Sequence, residues 1–157
     1  MPATSPSDDR RHAVAAELHD LAVRYAAGAD RRDGEMFAGA FLPAGRLRVF
    51  DPPEAAEPRS DRQGHDELAG VPALLSRYER TFHLLGQASY ELGPGGDEAG
   101  GEVYCLAHHL LAGPRPTTVV MHIRYRDRYR RAGGRWGIED RRVLVDWTET
   151  RPAGTSG

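Results

Sequence analysis

The sequence lacks two residue types altogether, lysine and asparagine, so all 21 of its basic residues are arginine. Without lysine, the chain has no residue that could form a Schiff base and no phosphate-binding loop of the Walker A type. Without asparagine, it has no acceptor for N-glycosylation. Amine-based covalent catalysis and nucleotide binding by a Walker loop are therefore excluded.

Cysteine, long apolar runs and excess charge are also scarce. The one cysteine, Cys105, cannot form an internal disulfide or anchor a cysteine-rich metal site. No apolar run approaches the roughly 18 residues that span a bilayer, and the N-terminal MPATSPSDDRRH has no apolar signal core. The net charge of -2 is not that of a nucleic-acid-binding protein. We expect a soluble cytoplasmic protein with no metal, cofactor, nucleic-acid partner or membrane partner.

The length of 157 residues predicts one domain with one core. Residues 1–10 and 151–157 are rich in residues that bury little apolar surface, so we expect them to be disordered tails. The domain is then expected over residues 11–150.

Apolar spacing predicts two or three helices in the first half of the chain. The first has apolar residues at spacings of three and four, which are Leu18, Leu21, Ala22, Tyr25 and Ala29. The run DGEMFAGAFL predicts a short second helix that brings Phe37 and Phe41 to the core. In VPALLSRYERTF, Pro72 suits the first turn of a third helix.

Strand patterns predict a sheet. An early strand, LRVFDP, lies between the second and third predicted helices, and HLLGQASYEL, EVYCLAHHLL, TTVVMHIRYRDRYRR and RWGIEDRRVLVDWTE predict four long antiparallel strands. Helices packed on the concave face of such a sheet give an α+β fold with a pocket between the two layers.

The third long strand alternates with great regularity. Residues on its first face are Val119, Met121, Ile123, Tyr125, Asp127 and Tyr129, and those on its second are His122, Arg124, Arg126, Arg128 and Arg130. The first face is predicted to be core. A buried Asp127 requires a partner, and we expect Arg141 or Arg142 of the next strand to form a structural salt bridge with it. The arginine face is expected to meet solvent or another subunit, although it is too charged to stack on itself without acidic partners.

Several motifs together resemble the SnoaL-like branch of the nuclear transport factor 2-like superfamily. They are ADRRD after the first helix, Gly64 before the third helix, TFHLLGQ, YCLAHH and IRYRDRYRRAGGRWGIEDRRVLVDW, which ends in Trp147. The resemblance covers about residues 13–150. It implies a cone of strongly curved antiparallel sheet closed by about three N-terminal helices, with Trp147 in a structural role.

The resemblance, most of all to scytalone dehydratase-like members, implies a catalytic pair of Asp30 and His83. Histidine can accept a proton near neutral pH, and a carboxylate beside it fixes its tautomer and stabilises the imidazolium. The alternative is that Asp30 caps the helix end and His83 is a hydrogen-bonded core histidine.

The resemblance also implies a pocket. Its lining residues are expected to be Tyr25, Phe37, His109, Met121 and Tyr125. His108 and His109 point to opposite faces of their strand, so only one can enter the pocket, and the family pattern favours His109. It is either a hydrogen-bond donor to substrate or a buried histidine bonded to backbone. Divergent neighbouring histidines make a metal site improbable.

The sequence departs from the family in ways that leave the substrate open. Ala29 stands where the dehydratases have a tyrosine, their pocket asparagine is missing, and the dehydrochlorinases' pocket lysine has no counterpart. We expect an enzyme that abstracts a proton from a mostly apolar, cyclic or carbonyl-bearing substrate, in a dehydratase or lyase, isomerase or polyketide-cyclase reaction. The alternative is a non-catalytic protein that binds a hydrophobic ligand. Epoxide opening ranks last. A homo-oligomer is expected, with a trimer preferred over a dimer.

Overall fold

The structure is a computed structural model that describes residues 6–154, with side chains from Asp8 onward. Its elements in chain order are α1 Pro6–Arg31, α2 Gly34–Ala38, β1 Phe41–Phe50, β2 Ser60–Gln63, α3 His65–Ala69, a 3-10 helix Pro72–Arg77, β3 Arg80–Leu92, β4 Glu98–Leu111, β5 Thr117–Ala132 and β6 Arg135–Pro152.

The six strands form one sheet in the order β2-β1-β6-β5-β4-β3. Strands β3 to β6 are an antiparallel meander, as the sequence predicts. The early strand β1 instead pairs in parallel with β6, and β2 pairs antiparallel with β1. The α+β fold with N-terminal helices on a sheet is confirmed, and the parallel β1 makes the sheet mixed.

One face of the sheet, here called the inner face, packs against α1 and forms the core. The alternation predicted for β5 is present, because Ile123, Tyr125, Asp127 and Tyr129 are all buried on this face. Helix α1 supplies a buried stripe that includes Leu18 and Tyr25. The core thus lies between α1 and the inner face, and the opposite, outer face of the sheet carries the arginines of β5.

Gly28 lies in α1 at the point where this helix crosses α2. Helix α1 continues beyond Gly28 to Arg31. A Cβ atom at Gly28 would lie 2.6 Å from the backbone nitrogen of Phe37, a distance that no side chain tolerates. Glycine therefore lets the two helices cross closely enough to bury Phe37 against Tyr25, whose rings are 4.4 Å apart.

The third predicted helix, VPALLSRYERTF, is wrong. The segment forms a 3-10 helix that ends at Arg77, and β3 begins at Arg80. The apolar spacing is helical, but the predicted stripe is only partly covered. Tyr78 is buried, whereas Leu74 and Phe82 are 59% and 61% exposed, so the stripe does not hold a longer helix. Pairing of Arg80 with Leu110 of β4 draws the chain into the sheet instead.

Other boundaries also move. α1 begins at Pro6, within the segment predicted as a tail, and β6 extends to Pro152. β1 begins at Phe41, so FAGAFL is helical only up to Ala38. β2 and α3 lie between the early strand and Pro72, where the sequence predicted neither a helix nor a strand. The remaining tail predictions, for residues 1–5 and 155–157, lie outside the described residues.

Candidate active site

Asp30 and His83 lie together where the end of α1 meets the start of β3. The Oδ1 atom of Asp30 is 2.6 Å from Nδ1 of His83, and its Oδ2 atom accepts a hydrogen bond of 2.9 Å from the His83 backbone N–H. β3 is an edge strand, so this N–H would otherwise lack a partner. The carboxylate thus fixes both the imidazole ring and the strand that carries it.

Thr81 completes the coordination of the carboxylate. Its hydroxyl donates to Asp30 Oδ1 at 2.9 Å. Thr81 precedes His83 by two residues in β3, so both side chains lie on one face of the strand. That spacing is visible in the sequence, and it could have marked Thr81 as a neighbour of the predicted pair.

Arg32 connects Thr81 to the end of α1 and to the 3-10 helix. It donates to the Thr81 hydroxyl at 2.8 Å and to the carbonyl oxygens of Ala29 and Leu75 at 2.7 and 3.1 Å. Its φ of 58° lies in the left-handed region, which non-glycine residues adopt at a cost. Arg32 belongs to the ADRRD motif, but the motif did not indicate this role, because the role depends on β3 and the 3-10 helix, which only folding brings near.

The electrostatics keep Asp30 ionised. Burial raises the pKa of the carboxyl, but the hydrogen bonds from the His83 ring, the His83 backbone and Thr81 outweigh it, so the pKa lies below its ordinary value. The side chain of Asp30 is 25% exposed and that of His83 is 8% exposed. Nδ1 faces the carboxylate, which leaves Nε2 as the nitrogen that can meet a substrate proton.

His109 is the member of the histidine pair that lies beside His83. The two rings are 5.8 Å apart and nearly perpendicular, whereas His108 lies beside Phe82 on the outer face. Burial, with a smaller contribution from the neighbouring His83, lowers the pKa of His109 to about 4. Its Nδ1 is buried with no hydrogen-bond partner among the described residues. The neutral imidazole of His109, which has one nitrogen without a hydrogen-bond partner within residues 8–154, therefore lies beside the Asp30–His83 pair, called the dyad below.

A second carboxylate, that of Asp127, lies deeper in the core. It accepts hydrogen bonds from Arg141 Nε at 2.9 Å, from Arg141 Nη2 at 2.6 Å and from the Tyr129 hydroxyl at 2.6 Å. Arg141 is one of the two partners proposed from the sequence. Its guanidinium carbon is 4.3 Å from the ring centroids of both Tyr25 and Tyr125. The Tyr129 hydroxyl and the rings of Tyr25 and Tyr125 thus hold the Asp127–Arg141 ion pair in place within the core.

The predicted pocket residues fall into two groups. Tyr25, Phe37 and Tyr125 are at most 7% exposed and pack against one another or against Arg141. Met121 packs at the margin of the core, and His109 faces the dyad. A role for these five in substrate binding stays a prediction.

A cavity of about 610 Å³ opens beside the carboxylate of the dyad. It is bordered by Asp30, Arg32, Tyr78 and Thr81, together with Ser76, Glu79, Arg80 and Phe82. Its wall therefore carries more charge than the apolar pocket predicted from the sequence.

Trp147 lies apart from this site. It stacks on His122 at 3.9 Å between ring centroids and is 58% exposed on the outer face. Among residues 8–154, no group of three or more histidine, cysteine, aspartate or glutamate side chains is placed to hold a metal ion. Helices within the same range include none long and apolar enough to cross a membrane.

The family model of the SnoaL-like domain matches residues 10–142. The chain belongs to the SnoaL-like family. No curated protein matches this SnoaL-like chain.

Solved structures with the same fold include a Mycobacterium tuberculosis protein of unknown function, which is 24% identical with a TM-score of 0.72 over 99% of this chain and 80% of that one. A putative scytalone dehydratase from Novosphingobium aromaticivorans is 18% identical, with a TM-score of 0.75 over 95% and 97%. A type 2 hexachlorocyclohexane dehydrochlorinase is 18% identical, with a TM-score of 0.76 over 94% and 93%. At these identities the likeness shows the fold alone.

Proposed function

We propose that this SnoaL-like protein is an enzyme in which His83 removes a proton from an acidic C–H bond of a small substrate. The observation that carries the proposal is the 2.6 Å contact between Asp30 and His83 Nδ1. It holds the tautomer with a proton on Nδ1, so that Nε2 is the basic nitrogen. Asp30 is positioned to stabilise the imidazolium that forms when Nε2 takes the proton.

His109 has a role in the same step. Its neutral ring lies 5.8 Å from His83, measured between centroids, and one of its nitrogens has no partner among the described residues. A hydrogen bond from this ring to a substrate carbonyl oxygen would stabilise the enolate that proton removal creates. The substrate class is then a mostly apolar cyclic or carbonyl-bearing molecule, and elimination of water, isomerisation or ring closure would follow from the same enolate.

Solvent exchange tests the proton abstraction without knowledge of the leaving group. We expect the protein to catalyse incorporation of deuterium from D₂O at the α-carbon of some members of a panel of cyclic ketones, followed by NMR. His83→Gln should reduce the exchange rate by about 10² or more. His108→Gln is the matched control, because this neighbouring histidine faces outward, and it should leave the rate unchanged.

Two results would contradict the proposal. One is exchange that persists in a folded His83→Gln variant. The other is saturable binding of panel members with no exchange above the buffer rate, which would favour the alternative of a non-catalytic protein that binds a hydrophobic ligand.

We also propose that the protein forms a homo-oligomer, with a trimer preferred. Apolar side chains on the outer face are unusually exposed, namely Phe82, Leu84, Tyr104 and Trp147. Several arginines of this face have acidic partners in neighbouring strands, for example Arg124 with Asp146 at 2.7 Å. At those positions the charge that was expected to oppose stacking is compensated within the chain.

Light scattering at micromolar concentration tests the assembly. Leu84→Glu should lower the mass toward that of the 17.3 kDa chain. Leu74→Glu, at an equally exposed residue of the 3-10 helix, should not. A wild-type monomer under these conditions would refute the oligomer.

A further inference from the structure

Three arginines lie side by side on the outer face of the sheet, far along the strands from Trp147. Arg142 of β6 is the register partner of both Arg48 in β1 and Arg126 in β5. Neighbouring strands are about 4.8 Å apart, and like charges at opposed positions destabilise a sheet. Strand pairing therefore concentrates positive charge in this row.

The carboxylates nearby do not neutralise the whole row. Arg48 is bound by Asp140 through bonds of 3.2 and 2.6 Å, and Arg126 by Glu102 at 2.9 Å. Arg142 forms no ion pair with any carboxylate in residues 8–154, and its Nε is buried there without a hydrogen-bond partner. The central arginine of the row thus carries a charge and a donor that the described chain does not satisfy.

An aromatic ring holds two of the guanidinium groups in place. The guanidinium carbon of Arg142 is 4.5 Å from the centroid of Phe50, and that of Arg48 is 5.8 Å from it. Phe50 is itself only 3% exposed, so its ring is a fixed platform. Stacking on a fixed ring reduces the conformational entropy that the arginines would lose on binding a ligand.

A cavity of about 370 Å³ opens over this row and is also bordered by Arg128, Asp140 and Asp127, whose carboxylate is bound to Arg141 in the core. The nearest carboxylate to Arg128, that of Glu139, is 4.0 Å away and lies closer to Arg130, at 2.9 Å. Two guanidinium groups, those of Arg142 and Arg128, thus lack a close carboxylate. Such a cavity matches the charge of a dianion.

We propose that Arg142 and Arg128, flanked by Arg48 and Arg126, form a binding site for phosphate or a phosphate monoester on the outer face of the sheet. The planar guanidinium fork pairs with two oxygens of a phosphate group, which supplies acceptors for donors that are already oriented. The bound dianion also removes the repulsion within the row. This site is separate from the dyad, and it does not depend on the proposed reaction.

Phosphate titration tests the site. Inorganic phosphate and phenyl phosphate are titrated at constant ionic strength against chloride, and binding is followed by the melting temperature and by the NMR signals of the arginine Nε–H groups. We expect a saturable rise in melting temperature for the wild type and a shift of the Arg142 signal. Arg142→Gln should weaken binding about tenfold or more, because a charge-assisted pair is lost. The control, Arg151→Gln on the exposed end of β6, should bind as the wild type does.

The rise in melting temperature that phosphate causes, measured for each variant against its own value in chloride, separates a binding role from a structural one. If the row is a site, Arg142→Gln loses most of this rise, whatever its stability in chloride. If Arg142 only packs on Phe50, the variant is destabilised in both media but keeps the rise, and the proposal fails. It also fails if the wild type shows no saturable response, or if Arg142→Gln and Arg151→Gln respond alike.

The two phosphate probes distinguish the sources of the ligand. Saturation by inorganic phosphate alone identifies a site for the free anion. Saturation by phenyl phosphate as well shows that the site accepts a phosphate group carried by a larger molecule.

Discussion

Two carboxylates on the inner side of the protein, those of Asp127 and Asp30, have partners that differ in kind. Asp127 faces an arginine, with both side chains 0% exposed, while Asp30 faces a histidine, with the carboxylate 25% exposed. An arginine remains charged at any ordinary pH, so the first pair is a permanent ion pair that fixes the core. A histidine can release and accept a proton near neutral pH, so the second pair can do chemistry. A carboxylate can thus serve a structural role, or the reaction that we propose, according to its partner and its exposure to solvent.

The largest effect is expected when the deeper pair, Asp127–Arg141, is broken. Asp127→Ala leaves Arg141 charged and unpaired inside the core, which should lower the free energy of unfolding by about 3–5 kcal/mol. Urea denaturation measures this loss. Combining the change with Arg141→Met removes the stranded charge and should recover most of the loss. A loss below about 1 kcal/mol for Asp127→Ala alone would show that water or another group reaches Arg141.

The second prediction concerns His109, a buried histidine without a carboxylate. Because its pKa falls to about 4 on folding, the unfolded chain takes up a proton first as the pH decreases. Stability should therefore be full above about pH 6.5 and fall toward pH 4, by up to about 3 kcal/mol for this group. Unfolding measured across that range should show a shallower fall for His109→Gln. Equal slopes for the variant and the wild type would contradict the buried, neutral state of His109.

The third prediction concerns Asp30 beside His83. Asp30→Asn removes the negative charge that would stabilise the imidazolium, so the maximal rate of deuterium exchange should decrease. Deuterium exchange across pH 5–9 measures the decrease. The effect on stability should be about 1 kcal/mol or less at neutral pH, because the carboxylate is partly solvated.

Acid titration of stability gives the companion result. The pKa of Asp30 is lowered on folding, so its contribution to stability is present above about pH 3.8 and is lost as the pH falls further. A pH–rate profile that is flat from 5 to 9 in the wild type, with proton transfer rate-limiting, would remove His83 from the role of base.

The smallest expected effect is at Thr81, whose hydroxyl donates to Asp30. Thr81→Val removes this donor and should lower the free energy of unfolding by about 0.5–1.5 kcal/mol. The hydrogen bond from Thr81 helps to lower the pKa of Asp30, so the midpoint of the Asp30 carboxyl titration followed by NMR should rise in this variant. Thr81→Ser keeps the hydroxyl and should restore the wild-type midpoint. An unchanged midpoint in Thr81→Val would make Thr81 a packing residue only.

The sequence predicted the meander well because alternation in a strand is a local property. The inward set of β5, including Tyr125 and Asp127, follows from period two alone. The helix predicted over VPALLSRYERTF was wrong because its apolar spacing fits a helix, yet the opposite surface that would bury Leu74 is missing. Periodicity indicates which residues share a face, but it does not indicate whether another part of the protein covers that face.

The residues of the candidate site also divide into those that the sequence indicated and those that it did not. The types and spacing of Asp30 and His83 pointed to a dyad through family resemblance, and the two side chains do lie together. Arg32 was missed, because its contacts with Thr81 and Leu75 cross 43 or more positions of the chain. Long-range contacts of a long, flexible side chain leave no periodic signal in the sequence.

The sequence by itself determined the chemistry available to this protein: no lysine, one cysteine, a β5 strand with arginines on one face, and a carboxylate and a histidine in the positions of a dyad. Only the tertiary structure decided which charges meet. It paired Asp127 with Arg141, placed β1 parallel to β6, and so set Arg48 beside Arg142. The physical reason is that residue type fixes what a group can donate or accept, whereas strand register and packing fix its distance from partners and solvent, and those distances determine its energy.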